Sequence, residues 1–320
     1  AFLAPALFAI AAVDREDALV RDTVLDAMVE AIRHAGARAR DARVAAVTVQ
    51  APPVTRSRLG GDVDRDIVVL KVTATDGEPI AVLWNYAIHG TMLGPRNLRL
   101  SGDVMGVASR ALEVSLGVPA LFVNGAVGDV SPKQHGEAAQ QTTGGALADA
   151  VRAAWVRARP EPGSAPRLSV RTARVRLPAP ALSLRHCVAR WVPAAVRLPL
   201  GSFLPDDTEM VAAAVGRVAW VTMPGEPVSA IGRAVKETAR QRWPDSFVAA
   251  LSNDYLGYFV RPDDYARSGY VTCAAVYGPA VGGCLAATAV TLLDDLVKDA
   301  PRLRREPITS APCDAVAGAR

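Results

Sequence analysis

Aromatic residues are scarce in this sequence, 5% of the chain, and its arginines are spread along it without stacking rings between them. The net charge of +4 therefore forms no basic stripe of the kind that tracks a nucleic-acid backbone, and nucleic-acid binding is set aside. Cysteine is equally thin. Cys187, Cys273, Cys284 and Cys313 contain no Cys-x-x-Cys pair and no dense framework, which excludes a zinc ribbon and a small disulfide scaffold and leaves the redox compartment open. No apolar run is long enough to cross a bilayer: the longest, Phe2 to Val13, is short and interrupted by Pro5. That stretch also lacks the basic start of a signal peptide and an initiator Met, so it reads as the opening of a buried segment in a chain that continues upstream.

What the chain does have is apolar mass. Half of its 320 residues are hydrophobic and 21% are charged, enough to fill a large core. From Asp14 to Arg38, Leu19, Val20, Val24, Leu25, Met28, Val29 and Ile32 recur at helical spacing, with acids early and Arg33, His34 and Arg38 late, as a helix dipole prefers. Val44 to Val49, Ile67 to Val72 and Ile80 to Trp84 are β-branched runs, the last two joined by the turn dipeptide Asp76-Gly77. A helix over Asp103 to Leu116, a buried strand over Ala120 to Val123 and a helix over Gly144 to Arg157 follow. After a Pro/Gly-rich joint at Pro160 to Pro166 come a strand over Leu168 to Leu177, buried strands over Val218 to Met223 and Phe247 to Leu251, and a helix over Val228 to Arg242. Alternation of this kind predicts an α/β fold, a mixed β-sheet with packed helices. The expected organisation is one catalytic-type domain over residues 1–300, incomplete at its N-terminus, and a polar, mobile tail over residues 301–320.

Four segments put unusual polar residues at the ends of predicted strands, where loops on a rigid scaffold carry functional groups. Trp84-Asn85-Tyr86-Ala87-Ile88-His89-Gly90 runs an apolar strand into a histidine, which taken alone is more often structural than a ligand. Asn124-Gly125-Ala126-Val127-Gly128-Asp129-Val130-Ser131-Pro132 turns tightly past a buried strand and presents Asp129 and Ser131, yet it is not the Gly-x-Ser-x-Gly elbow of a serine hydrolase. Met223-Pro224-Gly225-Glu226 places a carboxylate before a helix, where it serves equally as a helix cap. Asn253 to Pro279 holds five of the six tyrosines, side chains that pack as rings or offer a hydroxyl to a metal or an oxyanion.

In this order, Ala87-Ile88-His89, Gly128-Asp129-Val130-Ser131-Pro132, Pro224-Gly225-Glu226 and Asn253-x-Tyr255-x-x-Tyr258 leading to Tyr277-Gly278-Pro279 resemble the catalytic domain of the neutral/alkaline ceramidases. Thr55-Arg56-Ser57 and Ser101-Gly102-Asp103 are similar to that family's Asn-Arg-Ser and Ser-Gly-Asp, and the likeness runs from Phe2 to about Pro279. The resemblance implies zinc (Zn2+) held by His89, Glu226 and Tyr258, with Ser131 beside the metal as nucleophile or as a group that positions water and substrate. It implies further that Arg56 and Tyr270 hydrogen-bond the scissile carbonyl or the tetrahedral intermediate. The chemistry is coherent, because zinc accepts nitrogen and oxygen ligands, keeps a position open and lowers the pKa of a coordinated water to about 7.

The implied reaction is zinc-dependent hydrolysis of an N-acyl amide, with a ceramide-like lipid, split into sphingoid base and fatty acid, as the leading substrate. The implied partner is a small amphiphilic amide met with peripheral membrane contact, and the implied location is secreted or membrane-associated; the oligomeric state is left open. The sequence also departs from the family. Nothing here matches the His-x-His-Ser-Gly-Pro-Gly stretch that precedes the matched region and supplies the first ligand, and His34, His135 and His186 do not take its place. Weak zinc binding by this chain is the consequence expected. The interval from Ser131 to Glu226 is also short, and Thr309 to Arg320 is too little for the C-terminal immunoglobulin-like domain of the larger enzymes. Two other readings stay open: an inactive relative that binds lipid or a protein partner, and a metal-independent serine hydrolase using Ser131 with His89 or His135 and Asp129.

Overall fold

A computed structural model describes residues 17–160, 168–201, 204–267, 269–297, 308–309 and 313. The expected buried segment Phe2 to Val13, most of the Pro/Gly joint and most of the tail lie outside the described residues.

Helix α1 (Ala18–Ala37) opens on Asp17, whose side chain accepts from the backbone N–H groups of Leu19 and Val20. Strands β1 (Ala42–Gln50), β2 (Thr55–Ser57), β3 (Asp66–Ala74) and β4 (Pro79–Tyr86) follow, then helix α2 (Asp103–Leu116), strands β5 (Ala120–Asn124) and β6 (Val130–Pro132), and helix α3 (Glu137–Arg157). The first sheet has the order β1-β3-β4-β5, antiparallel except for the parallel pair β4/β5.

The rest of the chain builds a second sheet. Strands β7 (Leu168–Arg176), β8 (Ala181–Ser183), β9 (Arg197–Pro199), β10 (Asp207–Val215), β11 (Val218–Thr222), β12 (Glu226–Pro227), β13 (Asp245–Ala249), β14 (Tyr258–Phe259) and β15 (Ile308–Thr309) include its members, in the order β13-β11-β10-β7-β15. Its inner edge again carries a parallel pair, β11/β13. Two longer helices, α4 (Ser229–Ala239) and α5 (Val281–Asp295), pack on it.

Strand β3 shows why the architecture has four layers. A strand with apolar residues at every position must bury both faces. Ile67 and Val69 point with Val82, Trp84 and Tyr86 at Val104, Ala108 and Leu112 of α2 and Leu147 and Val151 of α3. Val68 and Leu70 point the other way, against Val218, Phe247 and Ala249 of the second sheet. That sheet's alternate residues, Ala219, Val221 and Val248, meet Ile231, Val235, Leu285 and Leu292 of its own two helices. The result is helix, sheet, sheet, helix. The expected α/β class stands, with two stacked mixed sheets where the pattern suggested one, because the alternation within each strand does not say what covers its second face.

The sheets are joined by polar ties. Asn85 Nδ2 donates to the Val123 and Val248 carbonyls at 3.0 and 3.1 Å, and Ala250 N–H donates to Asn124 at 2.9 Å. Nearby, Lys236 Nζ sits 2.5 Å from Asp64 and 2.8 Å from Asp66, and Arg240 also reaches Asp66. A buried ammonium needs such partners, since an unpaired charge there is strongly destabilising.

The cysteines are paired, Cys187 with Cys273 and Cys284 with Cys313, which ties residues beyond α5 back to the second sheet beside the β15–β7 pairing. Helix α1 forms as its periodicity predicts, yet none of its residues is buried, and its stripe from Leu19 to Ile32 is exposed. Among the described residues no helix is long and apolar enough to cross a membrane.

Candidate active site

Four loops meet where the two parallel strand pairs end, the position at which open α/β sheets commonly place ligands. The loop after β4 carries His89, the loop after β5 carries Asp129 and Ser131, the loop after β11 carries Glu226, and the loop after β13 carries Tyr255 and Tyr258. The loops lock together through backbone bonds: Gly128 N–H to Pro227 O at 2.9 Å, Glu226 N–H to Gly257 O at 2.8 Å, and Leu251 N–H to Gly225 O at 3.0 Å. Gly128 is obligatory here, because a Cβ at that position would overlap the Glu226 carbonyl. Gly257 adopts φ of 80° and passes so near the Ala274 carbonyl that a Cβ would lie 2.6 Å from its oxygen.

At the meeting point, His89 Nε2 lies 2.9 Å from Glu226 Oε2 and 3.4 Å from the Tyr258 hydroxyl. His89 Nδ1 lies 2.8 Å from the Val130 carbonyl, which can only accept, so the ring proton sits on Nδ1 and Nε2 turns toward Glu226. A lone pair facing a carboxylate at that distance is satisfied by a shared proton or by a cation. Tyr255 donates to the other carboxylate oxygen, Oε1, at 2.8 Å. Burial pushes the Glu226 carboxyl up, but the hydrogen bond and charge of His89, joined by Tyr255 and Tyr258, outweigh it and hold the group below its ordinary value. Burial, followed by the charge of Glu226, raises the Tyr258 phenol, and the Tyr255 phenol is raised by burial and by its bond to Glu226. Both hydroxyls therefore keep their protons near neutrality.

This donor set fits a divalent cation. An imidazole whose far nitrogen is held by a carbonyl, a carboxylate and a phenol oxygen are hard-to-borderline donors of the kind zinc accepts, and the carbonyl supplies the orienting bond that metal-binding histidines have. Donors about 2.0 to 2.2 Å from one tetrahedral centre stand about 3.3 to 3.6 Å apart. The His89–Tyr258 spacing lies in that range, and the His89–Glu226 pair is drawn closer by its own hydrogen bond. No three His, Cys, Asp or Glu side chains gather as a metal trio among the described residues, so any such centre here depends on the tyrosine.

The structure thus brings His89, Glu226 and Tyr258 to one point, with buried Ser131 beside them. Arg58, which the motif reading passed over, supplies the link: its Nε donates to Ser131 Oγ at 2.6 Å and its Nη1 lies 3.5 Å from the Tyr258 hydroxyl. Arg56 does not take that place. It pairs across β2/β6 with Ser131, but its side chain is exposed to solvent, while Arg58, one residue past the end of β2, reaches inward. Tyr270 stands at the rim, 69% exposed, its ring edge-on to Tyr258 with centroids 5.6 Å apart.

Asp129 is spent on structure: Ser57 Oγ donates to it at 2.5 Å and Ser229 N–H at 2.7 Å, so it, and not Glu226, braces the N-terminus of α4. Neither His89 nor His135 hydrogen-bonds Ser131 among the described contacts. A cleft of about 490 Å³, lined by Leu93, Asn97, Arg99 and His135, reaches Arg58 and Ser131 from solvent.

Residues 11–156 match the family model described as neutral/alkaline non-lysosomal ceramidase, N-terminal. Two solved structures share the fold. One is neutral ceramidase from Pseudomonas aeruginosa, with a TM-score of 0.73 at 18% identity over 89% of this chain and 57% of that one. The other is described as a ceramidase complexed with C2, with a TM-score of 0.73 at 15% identity over 88% of this chain and 59% of that one. The chain therefore spans less than two thirds of the length of these relatives. Residues 11–156 are thus similar to the neutral/alkaline non-lysosomal ceramidase family, and the chain shares the fold of the two ceramidase structures.

Proposed function

We propose that this chain hydrolyses an N-acyl amide in a zinc-dependent manner, with a ceramide-like lipid as the leading substrate. The observation that carries this reading is the convergence of Glu226 Oε2 and the Tyr258 hydroxyl on His89 Nε2, at 2.9 and 3.4 Å, beside Arg58 and Ser131, which line an open cleft. Those three side chains would hold the metal, which when bound supplies Lewis acidity toward a carbonyl oxygen and brings the pKa of water to about 7.

The remaining work falls to the chain's own groups. Val130 fixes the His89 tautomer, and Tyr255 occupies Glu226 Oε1, which leaves Oε2 turned inward. Arg58 places a permanent positive charge where the amide oxygen gains negative charge, a contribution realised mainly in the transition state. Ser131, an acceptor toward Arg58, keeps its own O–H to orient the substrate carbonyl or to meet the departing amine. A serine-nucleophile mechanism is less favoured, because no base hydrogen-bonds Ser131 Oγ among the described contacts and Asp129 is already committed to Ser57 and Ser229.

The test is hydrolysis of N-acylsphingosine by the purified protein, before and after chelation, with metal content measured on the same samples. Low turnover that chelation removes and excess zinc restores, with the weak zinc affinity that a missing ligand implies, is the expected result. Turnover indifferent to chelators would leave the serine mechanism standing, and absence of both zinc and turnover would leave an inactive lipid- or protein-binding relative.

A further inference from the structure

Leu98 and Leu100 are 97% and 106% exposed, the highest values of any large apolar side chain among the described residues. They do not belong to a loose strand end. Gly94, at φ of 73°, closes a turn through its N–H to Thr91 O at 3.3 Å, and Asn97 N–H continues it to Gly94 O at 3.2 Å. Asn97 then clasps the backbone of Arg99 from both sides, Nδ2 to its carbonyl at 2.8 Å and Oδ1 from its N–H at 3.3 Å. A turn held this way normally displays polar residues. Here it displays two leucines, alternating with Asn97 and Arg99, which line the cleft that leads to Ser131.

The charge around the leucines has one sign. No Asp or Glu occurs from Pro79 to Gly102, while Arg96 and Arg99 flank Leu98. Arg99 shares an ion pair with Glu137 of α3, and Arg96 has no ion-pair partner among the described residues. We propose that residues 94–100 dock the mouth of the cleft on an anionic lipid surface, with Leu98 and Leu100 entering the interface and Arg96 meeting the headgroups. Two leucines on a projecting tip offer far less than the roughly 800 Å² per partner of a stable protein interface. They suit a deformable apolar medium, and flanking arginines are attracted to anionic lipid. This docking goes beyond the hydrolysis proposed above and does not depend on it.

The experiment is sedimentation of the purified protein with two kinds of vesicle, phosphatidylcholine alone and equal parts phosphatidylcholine and phosphatidylglycerol. The expected result is binding to the mixed vesicles, weakened about tenfold by each of Leu98→Ser and Leu100→Ser and about fivefold by Arg96→Gln. Hydrolysis of a short-chain amide dissolved as monomer should be the same in all three variants as in the parent. Vesicle binding by a protein without amidase activity would refute the proposed reaction and leave the docking intact. No binding of the parent to mixed vesicles, or equal binding by the Leu98→Ser/Leu100→Ser double variant, overturns the docking. Self-association that this double variant abolishes, without vesicle binding, would also overturn it in favour of a second copy as occupant.

Discussion

The two halves that meet at the site are held in different ways. The half built on the first sheet fixes its contribution with main chain: the Val130 carbonyl receives both the backbone N–H and the ring of His89, and β4 behind it is packed by α2 and α3. The half built on the second sheet adds side chains and a cross-link to its own main-chain bonds. Glu226 N–H donates to Gly257 and its carboxylate is steadied by Tyr255, the neighbouring loop runs through positive φ at Leu251 and Asn253, and the Cys187–Cys273 bridge lies next to Ala274, whose carbonyl accepts from Tyr258 N–H. A rigid partner facing a rim of exposed phenols places the demands of exact geometry on one side and leaves adjustment to the other.

The comparison breaks most severely if either side loses its central group. Glu226→Gln and His89→Ala should each reduce amide hydrolysis to background; circular dichroism should show the fold retained, and metal analysis should show zinc lost in both. Next in size is the contrast between two arginines two residues apart, Arg56 in β2 and Arg58 just past its end. Arg58→Ala should lower turnover by about 10² to 10³, the usual cost of removing one donor to a developing oxyanion, while Arg56→Ala should leave it near the parent value. Equal effects of the two substitutions would mean that Arg56 reaches the substrate when it is bound.

Smaller effects separate the halves by stability. Loss of the Cys284–Cys313 bridge in the Cys284→Ala/Cys313→Ala variant should cost about 2 to 4 kcal/mol in denaturant unfolding. If the asymmetry is real, hydrogen exchange should rise in α5 and β7 and stay unchanged in β3 and β4. Smallest is the tie at Asp66. Burial pushes its carboxyl up, yet the charge and hydrogen bond of Lys236, then those of Arg240, hold it down at about 2. A depressed carboxyl contributes stability that is fully present above its unfolded value near 4 and is lost as pH falls through the folded one. Unfolding free energy should therefore drop by about 2 kcal/mol between about pH 4 and pH 2, and an Asp66→Asn variant should lack that part of the acid dependence.

Much of this was readable in the sequence. Strands β1, β3, β4, β5 and β11, the Asp76-Gly77 hairpin and helix α2 lie within a few residues of the patterns that predict them, since β-branched runs and helical periodicity are local signals. His89, Glu226 and Tyr258 came from the order of motifs that resembles the ceramidases; His89 and Glu226 follow apolar strands, but no local pattern marks Tyr258. Other features were hidden for physical reasons. Helix α3 starts at Glu137, seven residues before its apolar pattern, since its first turns are polar. Strand β10 opens Asp-Thr-Glu and holds three alanines in nine residues, and α5 begins Val-Gly-Gly-Cys, so neither carries a strong propensity. The resemblance points to Arg56 through Thr55-Arg56-Ser57, and only the path of the chain after β2 shows that Arg58 is the arginine that turns inward. The cysteine pairings join residues 86 and 29 positions apart, and spacing alone does not choose among partners.

The bare contact at Gly128 has a thermodynamic consequence. Where that loop lies against Glu226 and Pro227 no side chain separates the halves, and the groups that converge just beyond it come from both halves, His89 from one and Glu226 and Tyr258 from the other. Anything bound between His89 and Glu226 is bound to both sheets at once, so its binding free energy adds to the resistance of the seam against opening. Melting temperature then becomes a gauge of occupancy, and a ligand too small or too slow to follow by turnover should still declare itself as a later unfolding transition.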